Sequence, residues 1–244
     1  MVRFMVEFEF KERYNTEDLI EIVRLLRSPE GCPWDKVQTH ESIRKDFIEE
    51  VYEAVEAIDE KDPVHLREEL GDVLLQVVFH TVLEEEKGGF DFEDVTDEIC
   101  KKMIIRHPHV FGDVKADTTE QVLKNWDEIK MQTHSQKTVS EAMDGVSRTL
   151  PSLMRAQKLH KKAKKGGCAA SAEDFFADMH DALTALEEAF SEKNDECYER
   201  ELGKILFSAA GLSNIIDTDC ERLLYDTCEE FISSFKRDER SDNF

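Results

Sequence analysis

The chain has 244 residues, 40% of them hydrophobic, and a formal net charge of -23. That length supports a proper buried core in one large or two small domains. The charge repels phosphate backbones and anionic headgroups, which excludes nucleic acid and membrane surfaces as main partners and means that an anionic small substrate needs a bridging cation.

Ten glycines and five prolines fall below the usual combined share of roughly 12%, so long helices with short connections are expected. No run of about 18 apolar residues occurs and acids stand within the first ten residues, so no membrane span or signal peptide is expected and the setting is cytoplasmic. Cys32, Cys100, Cys168, Cys197, Cys220 and Cys228 form no C-x-x-C pair and are read as reduced and structural.

Residues 1–15 alternate apolar and polar, the pattern of an extended arm or an edge strand. Thr16 caps a first helix broken by "SPEG", and Thr39 caps a second running to about Glu60. Asp62 and Pro63 supply an N-cap and a first-turn proline for a third helix ending near Gly88-Gly89. A fourth starts at Asp91 and stops at Pro108; a fifth spans roughly Thr119 to His134. Pro151 opens a sixth, closed by Gly166-Gly167 after the basic run "KKAKK", whose charge suits a helix C-terminus. Three more begin near Ser171, Asp195 and Asp217. The fold expected is all-α.

A repeat is visible at an offset of 132 residues: "ERELGKILFSAAG" from Glu199 echoes "REELGDVLLQVVF" from Arg67, and "MHDALTAL" from Met179 lies over "FIEEVYEA" from Phe47. Two copies of one helical unit are expected. In the second copy Glu50 becomes Ala182, Glu53 becomes Ala185 and Asp72 becomes Lys204, while Asp181 and Glu201 persist.

In the first copy Phe47, Val51, Ala54, Val55 and Ile58 make an apolar stripe, and Glu49, Glu50 and Glu53 fall within an arc of about 100° beside it. Such acids are ordinarily a solvated face. The following helix argues otherwise, because "VLLQVVF" after Asp72 is apolar on nearly every side, the pattern of a segment covered all round. Glu69 and Asp72 then stand at the rim of a buried region, where clustered carboxylates need a cation or protons. Hard oxygen donors suit Mg²⁺ or Mn²⁺. A di-iron bundle is excluded, since no histidine lies three residues after a glutamate.

"CPWDKVQTH", "EEVYE", "EELGD" and "RHPHVF", in that order, are similar to the MazG family of nucleoside triphosphate pyrophosphohydrolases, closely over residues 16 to 165 and loosely beyond. The resemblance implies tandem all-α bundle domains, a homodimer, and Mg²⁺-dependent cleavage of a nucleoside triphosphate between its α and β phosphates. Carried over by position, it makes Glu50, Glu53, Glu69 and Asp72 metal ligands and Glu49 the residue that orients or deprotonates water. It also implies that Lys102 and Arg106, four residues apart on the next helix, grip the leaving pyrophosphate. Solvated surface bases are the competing reading for that pair.

His65, one turn before Glu69, is a further phosphate contact. Trp126 with Lys130 one turn later matches a family element placed over the nucleotide, with core filling as the other reading. Trp34 either walls the nucleotide pocket or plugs the bundle, and the two histidines of "RHPHVF" are read as packing. The usual G-F-D-W signature is here "GGCAASAED", and the helix matched to the Lys102 segment reads "CEEFISSF", which, four residues off the repeat offset, puts Glu230 and Ser234 where Lys102 and Arg106 stand. The expected organisation is an arm at 1–15, a catalytic domain at 16–137, a linker helix at 138–170 and a degenerate second domain at 171–244, serving dimerisation or regulation. A non-catalytic helical interaction protein on the same scaffold is the alternative.

Overall fold

The computed structural model describes residues 8–133, 138–192 and 195–241, the side chains of 124, 127–128, 130–133 and 237–241 excepted. Eleven α-helices and one short 3-10 helix are present among the described residues, and no strand. They are α1 Thr16–Arg27, α2 Arg44–Glu60, α3 Pro63–Glu85, α4 Phe92–Arg106, α5 Pro108–Phe111, α6 Thr119–Thr133, α7 Val139–Asp144, α8 Ser152–Lys165, α9 Ala172–Glu192, α10 Asp195–Ile215 and α11 Cys220–Ser241. The chain divides into two compact units, Met1–Trp126 and Asp127–Phe244. No helix among the described residues is long and apolar enough to cross a membrane.

Local chemistry explains where the helices start. Asn15, rather than Thr16, caps α1: its side chain accepts from the Asp18 N–H while the Asp18 carboxylate accepts from the Asn15 N–H, a reciprocal box that satisfies two otherwise orphan donors. The expected start of α2 at Thr39 is delayed to Arg44, because Thr39 and Ser42 hydrogen-bond each other's backbone N–H and close a turn first. Asp62 accepts from the N–H groups of Val64 and His65 at 2.9 and 3.1 Å, with Pro63 in the first turn of α3 as expected. The chain reverses between α2 and α3 through Lys61, in the left-handed region at φ 59°, so the two helices form a tight hairpin.

In the first unit α2 and α1 both pack on α3, and α4 touches α3. The core consists of Ile20, Val23, Ile43, Val78, Phe79, Val82 and Leu83. Arg24 and Arg27 clamp α1 to the end of α3 through paired contacts with Glu85 and Glu86, and the Arg27 guanidinium lies 5.2 Å from the centre of the Phe79 ring.

The second unit repeats the hairpin as α9 and α10, with α8 and α11 packed beside it. The 132-residue offset carries buried positions onto buried positions: Ala57 onto Ala189, Glu69 onto Glu201, Val78 onto Ala210 and Thr81 onto Ser213. One exchange of volume stands out. Ile43 and Phe79 belong to the first core, whereas their counterparts are Phe175 and Gly211. A Cβ on Gly211 would lie 2.4 Å from Phe175 Cε1, so the Phe175 ring occupies the space beside Gly211 and the bulky aromatic has moved from one partner of the pair to the other. Gln157 of α8 locks this unit, donating to Ser213 Oγ at 2.6 Å and to the Thr218 carbonyl at 2.8 Å while accepting from the Cys220 N–H.

The apolar segment of α3 is not covered all round within its own unit. Val78 and Phe79 are buried, yet Leu70 and Leu74 on α3, and Val51 and Ile58 on α2, are exposed. Their counterparts Leu202, Leu206, Leu183 and Phe190 are exposed too, and the eight residues keep between 37% and 63% of their surface. Both hairpins present the same open apolar face.

Candidate metal centre and nucleotide site

Glu50 on α2 and Glu69 and Asp72 on α3 each offer a carboxylate oxygen, and the three atoms lie within 4.8 Å of one another. Hairpin geometry brings them together: buried Ala54 and Ala57 stand where α2 meets α3, and residues three apart on α3 share a face. Glu69 is only 7% exposed. One of its oxygens lies 3.2 Å from His65 Nε2; the other, Oε2, is buried without a hydrogen-bond partner.

A buried carboxylate oxygen left unpaired is costly and calls for an explanation. Burial, then Asp72, Glu53 and Glu69, push the Glu50 carboxyl above its ordinary range. Burial and then Glu53 push Glu69 the same way, against the opposing pull of His65. The acids repel one another here, with His65 opposing them at Glu69. A divalent cation with oxygen preference fits this donor set and would occupy the unsatisfied oxygen.

Glu53 is exposed and stands outside the group of three, contributing through its charge. Glu49 is exposed and paired with Lys45 at 2.8 Å. His65 spends one ring nitrogen on Glu69, and the other lies 3.7 Å from Glu60. On α4 Lys102 is exposed, while Arg106, one turn on, is only 8% exposed. The Arg106 guanidinium lies 5.3 Å from the centre of the Trp126 ring, and His107 meets that ring edge-on at 5.0 Å. Trp126 is therefore half-buried against two α4-end side chains. The side chain of Lys130 lies outside the described residues. Trp34 is 59% exposed and plugs nothing within its unit. His107 packs, as read from the sequence, with its Nδ1 2.6 Å from the Met103 carbonyl.

Two features escaped the sequence. His40 and His80 stack 5.1 Å apart with their Nδ1 atoms 2.8 Å from each other, and His40 Nε2 lies 2.6 Å from Glu84; the spacing of His80 and Glu84 was visible, but nothing pointed to His40. Glu68, beside Glu69, contributes to the acidic field, and its counterpart in the second copy is Arg200.

Among the described residues the chain is helical throughout its regular structure, and Glu50, Glu69 and Asp72 form a candidate acidic metal site on a helical hairpin. Comparison with known proteins places it further. Residues 38–111 match the MazG nucleotide pyrophosphohydrolase domain. The nucleoside triphosphate pyrophosphohydrolase/pyrophosphatase MazG of Thermotoga maritima is 40% identical over 222 residues, 91% of this chain and 84% of that protein. The nucleoside triphosphate pyrophosphohydrolase of Escherichia coli is 37% identical over 228 residues, 91% of this chain and 86% of that protein. The uncharacterized protein YabN of Bacillus subtilis is 52% identical over 142 residues, but these make up 28% of that longer protein. The chain belongs to the MazG family. All four metal-type acids, Glu50, Glu53, Glu69 and Asp72, fall inside the matched domain.

Proposed function

We propose that the chain is a nucleoside triphosphate pyrophosphohydrolase that cleaves an NTP or dNTP between its α and β phosphates, releasing the monophosphate and pyrophosphate. Mg²⁺ is the proposed ion, with Mn²⁺ able to replace it. The observation that carries the reading is the buried, unpartnered Oε2 of Glu69, a residue whose carboxylate groups with those of Glu50 and Asp72 within 4.8 Å. A pure interaction scaffold has no use for a buried carboxylate oxygen left without a partner, because its desolvation is a standing cost.

Glu50, Glu69 and Asp72 hold the ion, with Glu53 joining from the next turn of α2. When bound, a divalent cation neutralises phosphate charge and lowers the pKa of a coordinated water. Glu49 orients or deprotonates the attacking water once it leaves Lys45. Lys102 and Arg106 hold the leaving pyrophosphate; Arg106, fixed under Trp126, also sets the position of that ring beside the base, with Lys130 one turn further along. His65 orients Glu69 and lies near the phosphates. Phosphoryl transfer asks little more of a protein than position and charge.

The functional division follows the repeat: catalysis in 16–137, a connection over 138–170, and a catalytically silent copy over 171–244. The open apolar face of α2 and α3 is covered by a second copy of the chain in a homodimer, since exposed patches of this kind mark interfaces. The setting is the cytosol, where Mg²⁺ and nucleotides are plentiful.

Product analysis across a panel of nucleoside triphosphates with Mg²⁺ tests the activity. Monophosphate and pyrophosphate in equal amounts are expected. Diphosphate with inorganic phosphate, or no turnover with any member of the panel, would sink the reading.

A further inference from the structure

Around the buried acid of the second unit four acids of the first copy have been replaced, two of them by bases. Where the first copy has Glu50, Glu53, Glu68, Glu69 and Asp72, the second has Ala182, Ala185, Arg200, Glu201 and Lys204. Glu201 is more deeply buried than Glu69, at 2% exposure, yet neither of its oxygens is orphaned. Lys204 Nζ donates to Oε1 at 3.0 Å and to Oε2 at 2.9 Å, and Arg200 Nε donates to Oε1 at 2.8 Å. The Lys204 hydrogen bond, followed by that from Arg200, holds the Glu201 carboxyl below its ordinary range. Glu69, at the same place in the repeat, has its buried Oε2 without a hydrogen-bond partner.

We infer that Arg200 and Lys204 are a built-in replacement for the divalent cation, so that the second unit is a converted metal site that keeps its buried acid neutralised with no metal. This rests on reading the first trio as a metal centre. Two consequences follow from the geometry. The α9–α10 hairpin is equally ordered with and without metal, so the open face carried by Leu183, Phe190, Leu202 and Leu206 persists when the first unit is metal-free. The conversion is also reversible in principle: Ala182→Glu and Lys204→Asp, with Arg200→Glu to remove the second replacing base, rebuild around Glu201 the acids Glu50, Glu68, Glu69 and Asp72 of the first copy.

Hydrogen exchange on the native full chain, with and without Mg²⁺, tests the first consequence. Slower exchange is expected in peptides from 44–85, with no change in peptides from 172–215. Equal protection of both hairpins would overturn the inference. Mn²⁺ binding read by electron paramagnetic resonance tests the second. In full chains that remain helical, the triply reverted protein is expected to bind additional Mn²⁺ beyond the native stoichiometry, and to retain that increment when Glu50→Gln and Asp72→Asn remove the first site. A native protein that binds Mn²⁺ while the reverted one gains none would refute this inference alone. No binding by either would refute the first metal centre as well.

Discussion

Metal binding to the first unit must appear as stability, because the cation binds the folded trio and not the separated carboxylates of the unfolded chain. At a free Mg²⁺ concentration ten times its dissociation constant, linkage gives about 1.4 kcal/mol. The unit spans Met1–Trp126, and at the usual entropy of unfolding per residue its ΔS is about 0.26 kcal/mol per kelvin. The midpoint of its transition should therefore rise by about 5 °C. Differential scanning calorimetry, with Mg²⁺ titrated against a chelator control, measures this directly. The transition of the second unit should stay in place, since Glu201 already has Lys204 and Arg200. A midpoint unmoved by millimolar Mg²⁺ contradicts the metal centre, as does an unchanged shift in a Glu50→Gln, Asp72→Asn variant.

The raised carboxyls of Glu50 and Glu69 stabilise the metal-free fold fully below the ordinary value near 4.5, and that contribution is lost as pH rises through their elevated values. Mg²⁺ affinity should thus increase with pH and binding should release protons, seen by calorimetry in buffers of different ionisation heat; no proton release would refute the assigned ligands. Burial, and then His40, hold the His80 imidazole below its ordinary range, so its contribution is complete above about pH 6.5 and is lost as pH falls. At saturating Mg²⁺ the first transition should weaken on acidification, and His80→Leu, the residue at the matching position 212, should flatten that slope. Gly211→Ala drives a Cβ into Phe175 and His160 and should cost the second unit about 1–3 kcal/mol in urea unfolding, with turnover per site unchanged. Glu53→Gln should lower metal affinity and turnover at intact helicity; near-native turnover would remove Glu53 from the site.

Much of this architecture was legible because its signals are local. Asp62-Pro63, Asp91 and Gly166-Gly167 act within one helical turn, and the repeat offset aligned α3 with α10 residue for residue. The start of α2 was misplaced because the Thr39–Ser42 turn competes for the same backbone donors that a cap would use. The short α7 was missed although Thr138 and Glu141 form its capping box; six residues carry too little periodicity to register. Leu74, within "VLLQVVF", read as covered because an apolar pattern reports eventual cover, yet it stays exposed within its own unit. For the site, spacing put Glu49, Glu50 and Glu53 on one arc of α2 and Glu69 with Asp72 on one side of α3, while the family resemblance singled out Glu50, Glu53, Glu69 and Asp72 as ligands. Long-range pairings were not legible: Arg106 under Trp126, His40 against His80, and the exchange of Ile43 and Phe79 for Phe175 and Gly211 each depend on packing between segments far apart in sequence.

The central claim is that hydrolysis belongs to the first copy alone, and pyrophosphate release per site in two single variants tests it most directly. Glu50→Ala removes a member of the trio and should abolish release. Glu201→Ala removes only the acid already neutralised by Arg200 and Lys204, and should leave the rate per site almost unchanged. Loss of activity in a Glu201→Ala protein that is folded and assembled like the native one would contradict the account.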